Sequence, residues 1–182
     1  MHVGDFDISG WAPQWLPARE QLDVQRDRLL ACSGQRIVDS WLVWNLELDK
    51  WFADLPVILS LDDGRHLEVC WQKFDELSIT WNTIDVSRAP VAWVTWPLVW
   101  RSQGHKALRA VTGSIITAVA STEHRFTTRQ ATTGAEEHAA WLVGGLWLET
   151  NDKSLQIFNA LDENGLTNDR AAIDEDNRLT PF

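Results

Sequence analysis

Two apolar runs meet at Asp63-Gly64 in the segment PVILSLDDGRHLEVCW, residues 56–71. An Asp-Gly pair between such runs marks a β-hairpin. The tight turn needs positive φ, glycine has no Cβ to oppose it, and aspartate tolerates the left-handed region. In the returning run Leu67, Val69 and Trp71 alternate with His66, Glu68 and Cys70, the two-residue period of a strand with two unlike faces. ELSITWNTI then repeats the alternation, with Leu77, Ile79 and Trp81 against Ser78, Thr80 and Asn82. Three such strands in succession form an antiparallel meander.

The flanking chain is read in the same way. IVDSWLVWNLEL (37–48) predicts another strand, with Leu42, Trp44, Leu46 and Leu48 opposed to Trp41, Val43, Asn45 and Glu47. PAREQLDVQRDRLLA predicts one N-terminal helix. Pro17 suits its first position, Leu22, Leu29 and Leu30 lie near one face, and Ser33-Gly34 ends it. Pro97 is placed to open a short helix, PLVWRSQ, ending at Gly104. ALRAVTGSIITAVAST reads as two strands, or as one long strand bent at Gly113. The polar, hydroxyl-rich stretch near 127–137 reads as a long loop, and AAWLVGGLWLETNDKSLQIFNAL as a hairpin turning at Asn151-Asp152-Lys153. The Gly144-Gly145 pair inside it suggests a bulge or a close backbone approach. Residues 1–16 read as an irregular arm, and 167–182 as a partly ordered acidic tail.

An approximate internal repeat runs beneath these elements. Leu29, Ala31, Ser33, Gly34 and Ile37 match Leu108, Ala110, Thr112, Gly113 and Ile116 at a constant offset of 79, and Leu67 and Val69 match Leu155 and Ile157 at 88. The expected fold is therefore a single α+β domain over 1–182. It is a predominantly antiparallel, curved sheet with one N-terminal helix, and an internal duplication would give two similar units.

With 182 residues the chain suffices for one independent core. Cys32 and Cys70 are far apart and unpatterned, as free thiols of a reducing cytoplasm are. The sequence starts without a basic, then apolar, leader, and no apolar run reaches a membrane span. The formal charge is −10, which opposes binding to nucleic acid or to an anionic membrane and favours a basic protein partner. No phosphate-cradling glycine motif, HExxH, Cys/His cluster or GxSxG occurs, so neither a cofactor nor a metal is expected. His66 and Cys70 share a strand face but stand about 13 Å apart by strand rise, too far for a thiolate–imidazole pair. Glu136, Glu137 and His138 read as a solvated run, and Asp62/Asp63 and Asp162/Glu163 as turn residues.

The chain has 12 tryptophans and no tyrosine. Trp44, Trp71, Trp81 and Trp147 occupy core-facing strand positions, whereas Trp93, Trp96 and Trp100 crowd around Pro97 and cannot all be buried by one regular element. Arg101, His105, Lys106 and Arg109 follow as the densest basic patch. Tryptophan and arginine dominate interface hot spots, so Trp93, Trp96, Trp100, Arg101, His105 and Lys106 form the candidate partner-binding set.

This character, small, acidic, tryptophan-rich, sheet-dominated and without catalytic motifs, resembles bacterial toxin-immunity proteins, including the mycobacterial kind that acts against an NAD-degrading toxin. The resemblance implies blockade of a toxin enzyme's active site in the cytoplasm by a non-catalytic inhibitor. The alternative is a small-molecule-binding barrel, or an enzyme with a site inside a curved sheet lined by His66, Glu68, Cys70 and Thr80. A homodimer or a subunit of a larger assembly is a third arrangement.

Overall fold

A computed structural model describes residues 6–92 and 96–182 and shows an α+β fold made mostly of antiparallel sheet. Strands β1 (Phe6–Asp7) and β2 (Leu16–Pro17) precede helix α1 (Ala18–Leu30). Then come β3 (Ile37–Asn45), β4 (Lys50–Trp51), β5 (Val57–Leu61), β6 (His66–Gln72), β7 (Glu76–Trp81), β8 (Val91–Ala92) and β9 (Leu98–Ser102). The remainder comprises α2 (Lys106–Val111), β10 (Ile116–Arg129), β11 (Glu136–Thr150), β12 (Ser154–Asn159), β13 (Asn164–Thr167) and β14 (Asn177–Pro181).

The two main sheets share one plan. The first runs β7-β6-β5-β3-β9 and the second β13-β12-β11-β10-β14. Each is a helix followed by a four-strand meander, with a last strand returning to lie against the first. The first sheet gains β2 and β4, and β1 pairs separately with β8. Both sheets stay open, so the barrel considered above does not form: β13 and β14 end the second sheet, each paired on one side only among the described residues.

The sheets are stitched together where each helix gives way to its strand. Gly34 N–H donates to Ile116 O at 2.8 Å, and Gly113 N–H to Ile37 O at 2.7 Å. Ile37 N–H donates to Ser114 O and Ile116 N–H to Gln35 O. Arg36 N–H is held by the Asp62 carboxylate and Ile115 N–H by the Asn151 amide oxygen, at 2.9 and 2.7 Å. Each bond has its counterpart 79 residues along on the strand-entry side, the offset seen in the sequence. Gly34 and Gly113 both adopt a φ of 89°, where a side chain would be strained, and so turn the chain from helix to strand.

The main core lies between the sheets. Leu42, Leu59, Leu67, Val69, Trp71 and Leu77 face Ile116, Leu146, Leu148, Leu155 and Ile157, with Leu22 and Leu29 of α1 and Leu108 and Val111 of α2 closing it. Trp71 is fully buried, and its indole N–H donates to Ile157 O at 3.3 Å. Beyond the start of β5, Trp71 N–H lacks a ladder partner and donates instead to Asn164 Oδ1 at 2.9 Å. The Asn164 amide donates in turn to Ala53 O at 2.7 Å and Leu55 O at 3.0 Å, so one side chain completes the first sheet from the second. Both cysteines are free and buried, and burial pushes Cys32 up to about 11 and Cys70 up to about 12.

Several expectations are corrected. Pro17 is the N-cap rather than the first helical residue, and Leu30 is exposed while Gln21 takes the buried position. The strand from Ile37 stops at Asn45, whose side-chain oxygen accepts from Glu47 and Leu48 N–H and turns the chain outward. The turn at Asp63-Gly64 forms, but only Gly64 is left-handed, and Asp63 caps Arg65 N–H. Residues 98–102 are strand rather than helix, because β3 offers them a ladder from Trp41 to Asn45. Residues 106–111 are helix rather than strand; Ala107, Leu108 and Ala110 favour it, and the His105 imidazole caps it by accepting from Ala107 N–H at 3.2 Å. The expected loop near 127–137 shrinks to 130–135, since Thr127 and Thr128 are β-branched and extend β10. The tail is built into the second sheet as the end of β13 and as β14.

Candidate binding surface

The outer face of the first sheet is closed. Val43 and Ile58 point away from the main core into a second cluster with Ile8, Phe52, Leu55, Ile84 and Leu98. Trp11, Trp15, Trp41, Trp96 and Trp100 pack over it. Trp96 meets Phe52 edge-on at 5.4 Å, and Trp11 meets Trp15 at 6.2 Å. The Trp100 indole donates to Arg88 O at 3.0 Å. The layer is latched by Glu68, which is 1% exposed and accepts from Thr83 N–H at 2.7 Å, Ile84 N–H at 2.8 Å and the Thr80 and Thr83 hydroxyls. Glu68 and Thr80, considered above as lining for an internal site, serve this latch instead.

The predicted binding set is thereby divided. Trp93 lies outside the described residues. Trp96 and Trp100 are brought together as part of the covering layer. Arg101, next along β9, sits on the opposite face, across from Leu42, with its guanidinium 4.2 Å over the Trp44 ring and 3.7 Å from the Asp49 carboxylate. Trp44 is half-buried there rather than part of the core. His105 packs on Trp51 at 5.6 Å and starts α2; burial, then the charges of Lys106 and Arg109, lower its pKa. Lys106 is exposed beside it.

The outer face of the second sheet is open. Strands β10 and β11 outrun their neighbours: β14 pairs with β10 only over Ala120–His124, and β12 with β11 only over Gly145–Glu149. Beyond them Phe126–Arg129 pairs only with Glu136–Ala140 among the described residues, so a two-stranded ribbon projects from the sheet. Phe126 is 50% exposed on it, and residues 129–140 are exposed throughout.

The root of the ribbon is fixed. The Glu123 side chain is wholly buried, accepting from Arg178 at 2.6 and 2.9 Å and pairing with Arg19 of α1 at 3.2 Å. Burial alone would raise this carboxyl, but hydrogen bonds from Arg178 and Arg19 outweigh it and hold it below the usual carboxylate range. Arg178 also stacks on Trp141 at 4.2 Å, and Arg19 donates to Trp141 O, so helix, tail and both ribbon strands meet at one charge. The register shift beside Thr122 and Glu123 falls at Gly144-Gly145, the bulge that the glycine pair suggested. A Cβ on Gly145 would lie 2.9 Å from Thr122 Oγ1, Gln156 Nε2 and Phe158 Cβ; without it, the Gln156 amide reaches across β11 to Thr122 Oγ1 at 2.8 Å. A groove of about 300 Å³ opens over this face, lined by Thr122, His124, Gln156, Phe158, Asn177 and Arg178.

A second depression of about 160 Å³ adjoins it, lined by His124, Leu142, Val143 and Gly144 of the ribbon root and by Phe74 and Leu161. These last two belong to the β6–β7 and β12–β13 turns, which are bonded to each other. Asn159 Nδ2 donates to Lys73 O at 2.7 Å and Phe74 O at 3.1 Å, and Lys73 N–H donates to the Asp162 carboxylate.

The densest cluster of large residues in the sequence points elsewhere, and its described members Trp96 and Trp100 lie in the layer over the first sheet. The available signal was the threonine-rich β-branched run flanking a short Gly134 turn. Among the described residues no group of His, Cys, Asp and Glu is arranged to hold a metal, and no helix is long and apolar enough to cross a membrane. No protein-family model, curated protein or solved structure matches the chain.

Proposed function

We propose that this protein is a non-catalytic inhibitor of the immunity type, acting in the cytoplasm by laying its ribbon and the groove at the ribbon's root against the active-site cleft of a basic or phosphate-handling toxin enzyme. The observation that carries this reading is the ribbon itself, a pair of strands rooted at Glu123 and extended beyond its sheet, with edges unpaired on both sides among the described residues. Unpaired N–H and C=O groups are a liability unless a partner takes them up, and strand addition is a common way of doing so. The net charge of −10 supports the choice of partner by steering encounter with a cationic cleft.

The test is a trimmed chain in which residues 127–139, between the paired Phe126 and Ala140, are replaced by an Asn-Gly turn. Both chains are co-expressed with secreted toxin enzymes that have cationic active sites, and complex formation and cell survival are measured. The full chain should form a stoichiometric complex with one of them and the trimmed chain lose at least 100-fold in affinity at an unchanged fold. Equal binding by both would refute the assignment. A second reading, a small-molecule site, is favoured by the convergence of His124, Gln156, Asn177 and Arg178 on the larger groove; ligand-dependent thermal stabilisation lost in His124→Ala would support it.

A further inference from the structure

Leu161 is 92% exposed and Phe74 is 72% exposed, the most solvent-open large apolar side chains among the described residues. Their presentation has a conformational cost. Leu161 and Asp162 both adopt positive φ, 62° and 83°, the geometry of a two-residue hairpin turn that Asn-Gly satisfies without strain. Lys73, beside Phe74, has a φ of 50°. A leucine held in the left-handed region and pointed at water returns nothing to the fold, whereas a preorganised apolar knob is what a binding anchor requires. The network through Asn159 and Asp162 already holds both turns rigid.

The surroundings state what the knobs receive. Asp75 lines the depression, Asp162 flanks Leu161, Asp54 adds negative charge beside Glu163 and Asp162 adds it beside Asp54, with Lys50 opposing both. Lys73 is neutralised by Glu76 at 2.9 Å. A second copy of this chain would set two acidic rims against each other. We infer that the paired turns form an anchoring site for a cationic segment of a partner protein, one carrying an apolar side chain between lysines or arginines, which seats between Phe74, Leu161 and Leu142. This rests on the inhibitor reading and names the partner chemistry of that surface.

The probe is a 12-residue peptide alternating leucine and lysine, with a leucine/glutamate peptide as control, titrated into the isotope-labelled full chain and followed by backbone amide shifts. The lysine peptide should shift the amides of 73–75, 142–144 and 160–163 and weaken with salt, while the glutamate peptide leaves them unmoved. Leu161→Asn, which relieves the turn, should raise Tm by about 2–4 °C yet weaken peptide binding at least tenfold; Phe74→Ser, at an exposed site, should weaken it without loss of fold. Shifts scattered over the acidic surface, unchanged affinity in Leu161→Asn, or a dimer that this substitution dissolves would each overturn the proposal. Peptide binding at the turns by a chain that inhibits no enzyme would sink only the inhibitor reading; inhibition lost on trimming the ribbon, with no peptide bound at the turns, would sink only this one.

Discussion

The two sheets have the same strand order, but their outer faces meet different fates. Over the first, tryptophans from three separate segments are clamped down by a buried glutamate. Over the second, the same surface is left as a groove, and its two longest strands continue outward into solvent. One plan thus yields a half that consumes its aromatic residues in stability and a half that spends strand length on presentation. The difference shows what the described tryptophans of this region do in the fold: large rings cluster where a sheet face is sealed.

Substitutions that probe the contrast should separate by size. Ile58→Ala, beneath the sealed face, should cost about 3–4 kcal/mol in denaturant unfolding, as buried large-to-small changes do. A cost no larger than that of an exposed site would mean the tryptophan layer is not packed. Asn164→Ala should cost about 2–3 kcal/mol, because Trp71 N–H and two carbonyls of the first sheet lose their partner from the second. Glu123→Gln should cost about 1–2 kcal/mol, below the range for breaking a fully buried pair, since both arginines are about half exposed.

That carboxylate also sets a pH dependence confined to the second sheet. Its folded pKa is depressed, so its contribution is complete above the unfolded carboxylate value near 4.3 and is lost as pH falls through the lower folded value. Amide protection factors, which correct for the slowing of intrinsic exchange in acid, should therefore fall at 177–180 and 141–143 as pH drops below about 4, ahead of 57–61, and Glu123→Gln should abolish the difference. The smallest effect belongs to the open face: Phe126→Ala should change stability by no more than about 0.5 kcal/mol while weakening the partner complex.

Much of the first sheet was legible because its strands announce themselves by alternation and by a glycine turn; β5, β6 and β7 fall where the period changes sign. Two positions matched by the repeat offset, Gly34 and Gly113, make reciprocal bonds. Polarity misled elsewhere. Thr127 and Thr128 look like loop residues by solubility but are strand formers by shape, and the acidic tail is ordered by a ladder to β10 and by Arg178 reaching a glutamate 55 residues upstream. The predicted binding set is divided for a reason that local sequence hides. Trp100 and Arg101 are neighbours in sequence, and a strand sends neighbours to opposite faces. Leu161 gave no warning, because exposure and left-handed backbone at a leucine run against every local preference.

The reciprocal junction has a consequence for how the chain could be divided. A cut between Gln103 and Gly104 leaves two pieces that each contain a helix and a complete five-strand order, yet each piece ends its glycine turn on a carbonyl belonging to the other. Neither fragment should persist alone, and mixing them should restore the native circular dichroism, which makes this boundary a natural place to split the molecule into a complementation reporter.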